Sequence, residues 1–269
     1  MKFLPIGEKT FQHYCEKNKL FTSVDDLTIV TVSNWLEGLV RQSYLNKQKI
    51  ITIHNGVDVS LFQPMDSTRV RCKYGLEGVA YVIGVSSVWL PYKGWYDFLE
   101  LARMLPENIR LVMVGLNSYQ LTEVSSLGIR GIPHTDNIRE LAELYSGAIL
   151  TLNLSSQESF GLTTVEGFAC GTPGVVYNST ASPELIADNN NGILSADSSV
   201  YAGSSGWVVR QGDIRAVSEV INQWYEVITS DHCSEQEMRD SCRSRAIKEF
   251  NKDDKFLNYI ELYNRILES

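Results

Sequence analysis

From about Gly56 onward, short aliphatic runs alternate with amphipathic stretches, and few folds accommodate that rhythm. "AYVIGVSS" (residues 80–87), "IRLVMVG" (109–115), "AILTLNL" (148–154) and "GVVYN" (174–178) read as strands. Between and after them, "GWYDFLELARML" (94–105), "NIRELAELYSG" (137–147) and "DIRAVSEVINQWYEVI" (213–228) place apolar residues at helical spacing. A strand, a crossover helix and another strand in one sheet run parallel, with right-handed connections. The expected fold class is therefore α/β, a doubly wound parallel sheet. Ligands in such sheets sit at the carboxyl ends of the strands. A last helix is expected with Phe256, Tyr259, Ile260, Tyr263 and Leu267 on its apolar face, and the polar, Gly-rich stretch 189–206 reads as a long surface loop.

The first 56 residues follow another pattern. Residues 1–25 show no apolar strand and read as a loop or short helix. "LTIVTVS" (27–33) reads as a strand, "NWLEGLVRQSYL" (34–45) as a helix capped by Ser33 or Asn34, and "KIITIHNGVD" as a second strand ended by the Asn55-Gly56 turn. Two strands and a helix do not make a domain alone. Residues 1–56 are expected to be the closing part of one domain and residues 57–269 a second, joined through "IHNGVDVSLFQP".

Composition excludes several classes. The 269 residues carry 24 basic and 32 acidic side chains, a net charge of −8, and Lys and Arg form no stripe. A nucleic-acid partner needs such a footprint, so none is expected. The five Cys are scattered, without zinc spacing or a disulfide framework, as suits a reducing cytosol. No window approaches the ~20 apolar residues that span a bilayer, although peripheral contact with a membrane stays open. The four His show no metal-ligand spacing, and no D-x-D, G-x-S-x-G, P-loop or G-x-G-x-x-G pattern occurs. No metal and no nicotinamide or flavin cofactor is expected.

The chemistry concentrates in "SSQESFGLTTVEGFACGTPGVVYN" (155–178). Leu154 ends a strand, and Gly161 lets backbone approach a ligand closely. A helix follows from Leu162 or Thr163 to Cys170, stopped by Gly171 and Pro173. Its first amides lack intrahelical partners and form a site for an anion such as a diphosphate. Glu158 lies before this helix and Glu166 one turn inside it, so they flank one molecule at different points and suit pairs of sugar hydroxyls. A solvated loop acid and a first-turn acid favoured by the helix dipole would produce the same spacing. In "GVSSVWLPYKGWYDF", Lys93 opens a helix beyond a strand end and could meet a phosphate, or could be a surface lysine.

Three stretches in order, "HNGVDVSLFQP", "VSSVWLPYKGW" and "ESFGLTTVEGFACGTPGVV", resemble glycosyltransferase family 4, retaining enzymes of the two-Rossmann-domain GT-B fold. The third is similar to the family's E-x7-E element. The resemblance covers Leu27 to the end and implies a chain lacking most of the family's N-terminal domain, with the last helix packing back toward the N-terminal part. It implies transfer of a hexose from a UDP- or GDP-sugar donor to a glycan or lipid-linked acceptor, in bacterial polysaccharide synthesis. The location implied is the cytoplasm or the inner face of its membrane. Lys93 would hold the donor diphosphate. Ser159, Phe160, Gly161 and Leu162 would approach diphosphate and sugar, the last three through their backbone. Glu158 would contact the donor sugar near the reacting carbon and, with Lys93, carry catalysis. Glu166 would take the ribose hydroxyls, while Ser86, Ser87, Gly115 and Ile132 complete the donor site. Where the family commonly has Arg, six residues before the Lys, this chain has Ser87. The alternative is a nucleotide-sugar-binding module without transfer activity.

Overall fold

The computed structural model describes residues 8–186 and 199–268, which divide into two units, residues 1–54 and residues 55–269. The first unit holds helix α1 (Glu8–Thr22), strand β1 (Thr28–Thr31), helix α2 (Asn34–Arg41) and strand β2 (Lys49–Thr52). The two strands pair in parallel, Ile29 beside Ile50 and Thr31 beside Thr52. Ser33 caps α2 by accepting from the Leu36 amide at 3.2 Å. Helix α1 is longer than the loop or short helix expected. It is built from Glu, Lys and Gln, good helix formers without an apolar stripe, and Phe11, Tyr14 and Leu20 are exposed along it.

The second unit is a doubly wound α/β sheet. It contains α3 (Thr68–Tyr74), β3 (Ala80–Val85), α4 (Trp95–Ala102), β4 (Ile109–Leu116), α5 (Ser118–Ser125), β5 (Arg130–Pro133), α6 (Ile138–Gly147) and β6 (Leu150–Asn153). There follow α7 (Leu162–Ala169), β7 (Gly174–Tyr177), α8 (Pro183–Ile186), β8 (Val200–Gly203), β9 (Gly206–Val209), α9 (Ile214–Ser230), α10 (His232–Phe250) and α11 (Lys252–Leu267). The strand order is β5-β4-β3-β6-β7-β9-β8, and every pair is parallel except the antiparallel β8–β9 hairpin. The chain winds outward from β3 through β4 to β5, then returns to place β6 on the other side of β3. The exits of β3 and β6 thus flank the switch point where such a sheet opens a crevice.

Strands covered on both faces are apolar without alternation. In β3, Tyr81, Val82 and Ile83 are fully buried. Tyr81 reaches one layer, its hydroxyl donating to the Leu144 carbonyl of α6 at 2.7 Å. Gly84 faces the other, where a Cβ would stand 2.3 Å from the Phe98 ring of α4. Helix α7 lies close on the sheet because Gly167 sits over Thr151, where a Cβ would come within 2.4 Å of the Thr151 methyl.

Two expectations are corrected here, for the 189–206 stretch and for α11, and one helix, α10, is added. Within the stretch read as a surface loop, residues 189–198 lie outside the described residues, but Val200–Gly203 and Gly206–Val209 build the β8–β9 hairpin. Helix α10 carries no apolar stripe and is fastened by arginines instead: Arg243 donates to the carbonyls of Phe62, Ala169 and Val59, and Arg239 to those of Gly171 and Ala148. In α11 the buried side chain is Leu262, while Phe256, Ile260, Tyr263 and Leu267 are exposed. Among the described residues no helix is long and apolar enough to cross a membrane.

Candidate active site

At the switch point lies a cavity of about 530 Å³, lined by the exits of β3, β4 and β6 and by the start of α7. Its shape depends on glycines at positive φ. Gly115, at φ 93°, has no room for a side chain, since a Cβ would lie 1.8 Å from the Ser86 carbonyl oxygen. The β3 and β4 exits therefore run backbone against backbone. Gly94, at φ 78°, lets the loop beyond β3 lie on the end of β6; a Cβ there would stand 2.5 Å from the Leu154 carbonyl oxygen. The amide of Ser156 donates to the Tyr92 carbonyl at 2.9 Å and secures the same approach.

This approach brings Lys93, from a 3-10 turn at Pro91–Lys93, against Glu158, from the loop after β6. Lys93 Nζ is 2.7 Å from Glu158 Oε1, and each side chain is largely shielded, 24% and 16% exposed. The Glu158 amide donates to Thr180 Oγ1 at 2.8 Å, fixing the loop. Gly161, at φ 103°, then turns the chain into α7. No side chain caps this helix. The Thr164 amide donates to the Gly161 carbonyl at 3.1 Å, and the Leu162 and Thr163 amides ahead of it can meet an anion, which the helix dipole favours there.

Glu166 stands one turn inside α7 and lines the cavity floor. Its Oε2 accepts a hydrogen bond from the Tyr145 hydroxyl of α6 at 2.9 Å. Burial pushes its carboxyl up to about 7, although the Tyr145 bond acts in the opposite sense.

Ten of the eleven residues singled out from the sequence line this cavity: Ser86, Ser87, Lys93, Gly115, Glu158, Ser159, Phe160, Gly161, Leu162 and Glu166. The Phe160 ring is itself buried, edge-on against Phe250 at 5.7 Å. Ile132 is a correction. It is fully buried in β5 and does not reach the cavity; His134 and Thr135, just beyond the strand, do. A strand residue flanked by half-buried and exposed neighbours points into the sheet, and the loop at the strand's end carries the wall. Tyr145 escapes sequence reasoning, because a tyrosine on a helix's apolar face looks like core. Among the described residues no group of three or more His, Cys, Asp or Glu is placed to hold a metal ion.

A family model described as Glycosyl transferases group 1 matches residues 66–249. The chain belongs to this family. The match takes in most of the sheet and the cavity walls. A D-inositol 3-phosphate glycosyltransferase from Segniliparus rotundus is 33% identical over 166 residues, covering 55% of this chain and 36% of that protein. A protein of the same description from Acidothermus cellulolyticus is 29% identical over 206 residues, 68% of this chain and 46% of the relative. The chain thus spans between about a third and a half of the curated relatives it matches. A glycosyltransferase structure from Rickettsia africae superposes with a TM-score of 0.78 at 19% identity, covering 94% of this chain and 68% of the other. The Anabaena protein HepE, in complex with UDP-glucose, gives 0.70 at 16% identity, covering 94% and 69%. At these identities the structural likeness establishes a shared fold alone.

Proposed function

We propose that this protein is a retaining glycosyltransferase with residues 57–269 as its donor-binding domain, taking a nucleoside-diphosphate sugar and serving a glycan or lipid-linked acceptor in polysaccharide synthesis at or near the cytoplasmic membrane. The observation that carries the reading is the convergence of Lys93, Glu158, Glu166 and the uncapped start of α7 on one cavity at the sheet's switch point. Membership of group 1 and the UDP-glucose bound by the structurally similar HepE support it.

In this reading the bond between the anomeric carbon and the diphosphate oxygen breaks, and its electron pair leaves on the nucleotide. The acceptor hydroxyl bonds to the same carbon from the face the nucleotide vacates, and its proton passes to the departing phosphate oxygen. Charge builds on the diphosphate, so groups aimed there count most. Preorganised donors of this kind each contribute about 10²-fold or more to rate. Lys93 has three N–H donors. It can hold Glu158 and a phosphate oxygen together. The α7 amides supply the rest without reorganising. Glu158 faces the sugar from the β6 loop, and Glu166 offers acceptors to the ribose.

A second reading is a nucleotide-sugar-binding module without transfer. Titration calorimetry with UDP, GDP and ADP, followed by a donor-hydrolysis and transfer assay, separates the two. Binding with turnover supports the transferase, and binding alone the module. Absence of binding to all three nucleotides rejects both.

A further inference from the structure

Tyr145 stands behind the cavity wall, outside the residues assigned to the donor. It is buried in α6, with 1% of its surface exposed. Its ring packs edge-on against Phe62 at 6.2 Å, and its carbonyl accepts from Thr172 Oγ1 at 2.7 Å, so side chain and backbone are both fixed. From this rigid mount the hydroxyl donates to Oε2 of Glu166. A carboxylate has two oxygens with about four acceptor positions. One oxygen is engaged from the core side, and the residue's remaining surface lines the cavity.

We propose that Tyr145 is a positioning residue of the donor site: by holding Oε2 of Glu166 from behind, it turns Oε1 into the cavity as the acceptor for the vicinal hydroxyls of the nucleotide's ribose. The proposal rests on the donor reading of the cavity. It also makes nucleotide affinity depend on pH. A ribose diol donates to a carboxylate but loses an acceptor when that carboxyl is protonated. Burial brings this change to near neutrality, and the Tyr145 hydrogen bond lowers the point at which it occurs. The other ionisable groups nearby are accounted for. The Cys170 thiol of α7 is pushed by burial up to about 12 and stays neutral. Arg243 of α10 is occupied by three backbone carbonyls. The Lys93–Glu158 pair and His134 lie in the same cavity.

The test is calorimetry on the full chain. UDP, GDP and ADP are screened, and the tightest binder is compared with its 2′-deoxy counterpart from about pH 6 to pH 9. Both ligands carry the same base and diphosphate, so ionisation of the phosphates cancels in the ratio of affinities. For the unaltered protein the ratio is expected to rise about tenfold between about pH 6 and pH 8, as a group titrating near 7 loses its proton. Tyr145→Phe keeps the ring and removes the donor. Its midpoint moves upward, so its deficit is several-fold near neutrality and shrinks in alkali. A merely structural role would weaken both ligands equally at every pH, and that result overturns the proposal. So does a pH-independent ratio in the unaltered protein, a measurement that needs no variant to fold. If no nucleotide binds at any pH, the donor reading itself falls and takes this proposal with it. If one binds with a flat ratio, only the role of Tyr145 is lost.

Discussion

The Lys93 ammonium sits 2.7 Å from Oε1 of Glu158, so a cation from the β3 exit and an anion from the β6 exit already meet inside the cavity. The pair is shielded but not sealed, which leaves the ammonium able to take a further oxygen. Removing each partner should therefore have opposite consequences for an anionic ligand. Lys93→Ala is expected to weaken nucleoside diphosphate binding about ten- to hundredfold, the worth of one charge-assisted hydrogen bond of about 1–3 kcal/mol. It should scarcely affect the nucleoside alone. Glu158→Gln removes a negative charge beside the diphosphate and should leave nucleotide affinity equal or higher while turnover falls. Calorimetry with nucleotide and nucleoside, alongside a turnover assay, checks both. A Lys93→Ala protein that binds nucleotide normally would remove the ammonium from the mechanism.

Glu166 makes a prediction about stability. Its carboxyl titrates at about 7 in the fold against an ordinary value of 4.5, so the native state binds the proton more tightly than the unfolded chain. The stabilisation this provides is complete below about 4.5 and is lost as pH rises to about 7. The full difference corresponds to about 3 kcal/mol. Glu166→Gln cannot ionise and keeps an oxygen for the Tyr145 hydroxyl. Its melting temperature should match the unaltered protein in acid and exceed it above neutrality, while nucleotide binding weakens. Melting curves across pH check this. A constant offset between the two proteins at every pH would mean that Glu166 does not ionise in this window.

Gly115 tests the shape of the site rather than its charges. A Cβ there would lie 1.8 Å from the Ser86 carbonyl oxygen, at a φ of 93° that L side chains rarely adopt. Both effects act on backbone, which cannot swing aside as a side chain does. Gly115→Ala is expected to cost about 2–4 kcal/mol in stability and to abolish nucleotide binding by separating the β3 and β4 exits. Denaturant melts and calorimetry check the two effects. Gly38→Ala is the control, because a Cβ there meets nothing within 4 Å.

These sites differ in how plainly the sequence announces them. The exits of β3 and β6 are legible because each follows a largely apolar run and opens on a pair of serines, Ser86-Ser87 and Ser155-Ser156, where a covered strand must stop. The Glu158–Glu166 spacing is legible because Gly161 and Gly171 bracket one short helix. The β8–β9 hairpin is hidden, since Gly203 and Gly206 enclose two serines and the flanking strands are only four residues each. Helix α10 is hidden because guanidinium groups bonded to backbone carbonyls hold it, and arginines on a helix read as solvated. Helix α11 misleads in the opposite direction. Its periodicity is real, but Leu262 is the buried residue and the apolar stripe lies exposed. Tyr145 leaves no periodic trace of its hydroxyl at all.

Ser87 is where this chain departs from the pattern it resembles, and the departure can be reversed by experiment. Ser87 is exposed and lines the cavity at the β3 exit, the edge that also carries Lys93. Apart from His134, Lys93 is the one basic side chain lining the cavity among the described residues. A guanidinium at position 87 would add a planar, bidentate phosphate donor that is always charged. Ser87→Arg is therefore expected to tighten nucleoside diphosphate binding about tenfold, with no gain for the nucleoside and a steeper loss of affinity with salt. Because the position is exposed, the melting temperature should change little. The same substitution on a Lys93→Ala background should restore part of the lost affinity, since both cations would address one diphosphate. If Ser87→Arg left nucleotide affinity unchanged, or improved nucleoside and nucleotide alike, the diphosphate would have to lie away from the β3 exit, and Lys93 could not be its partner.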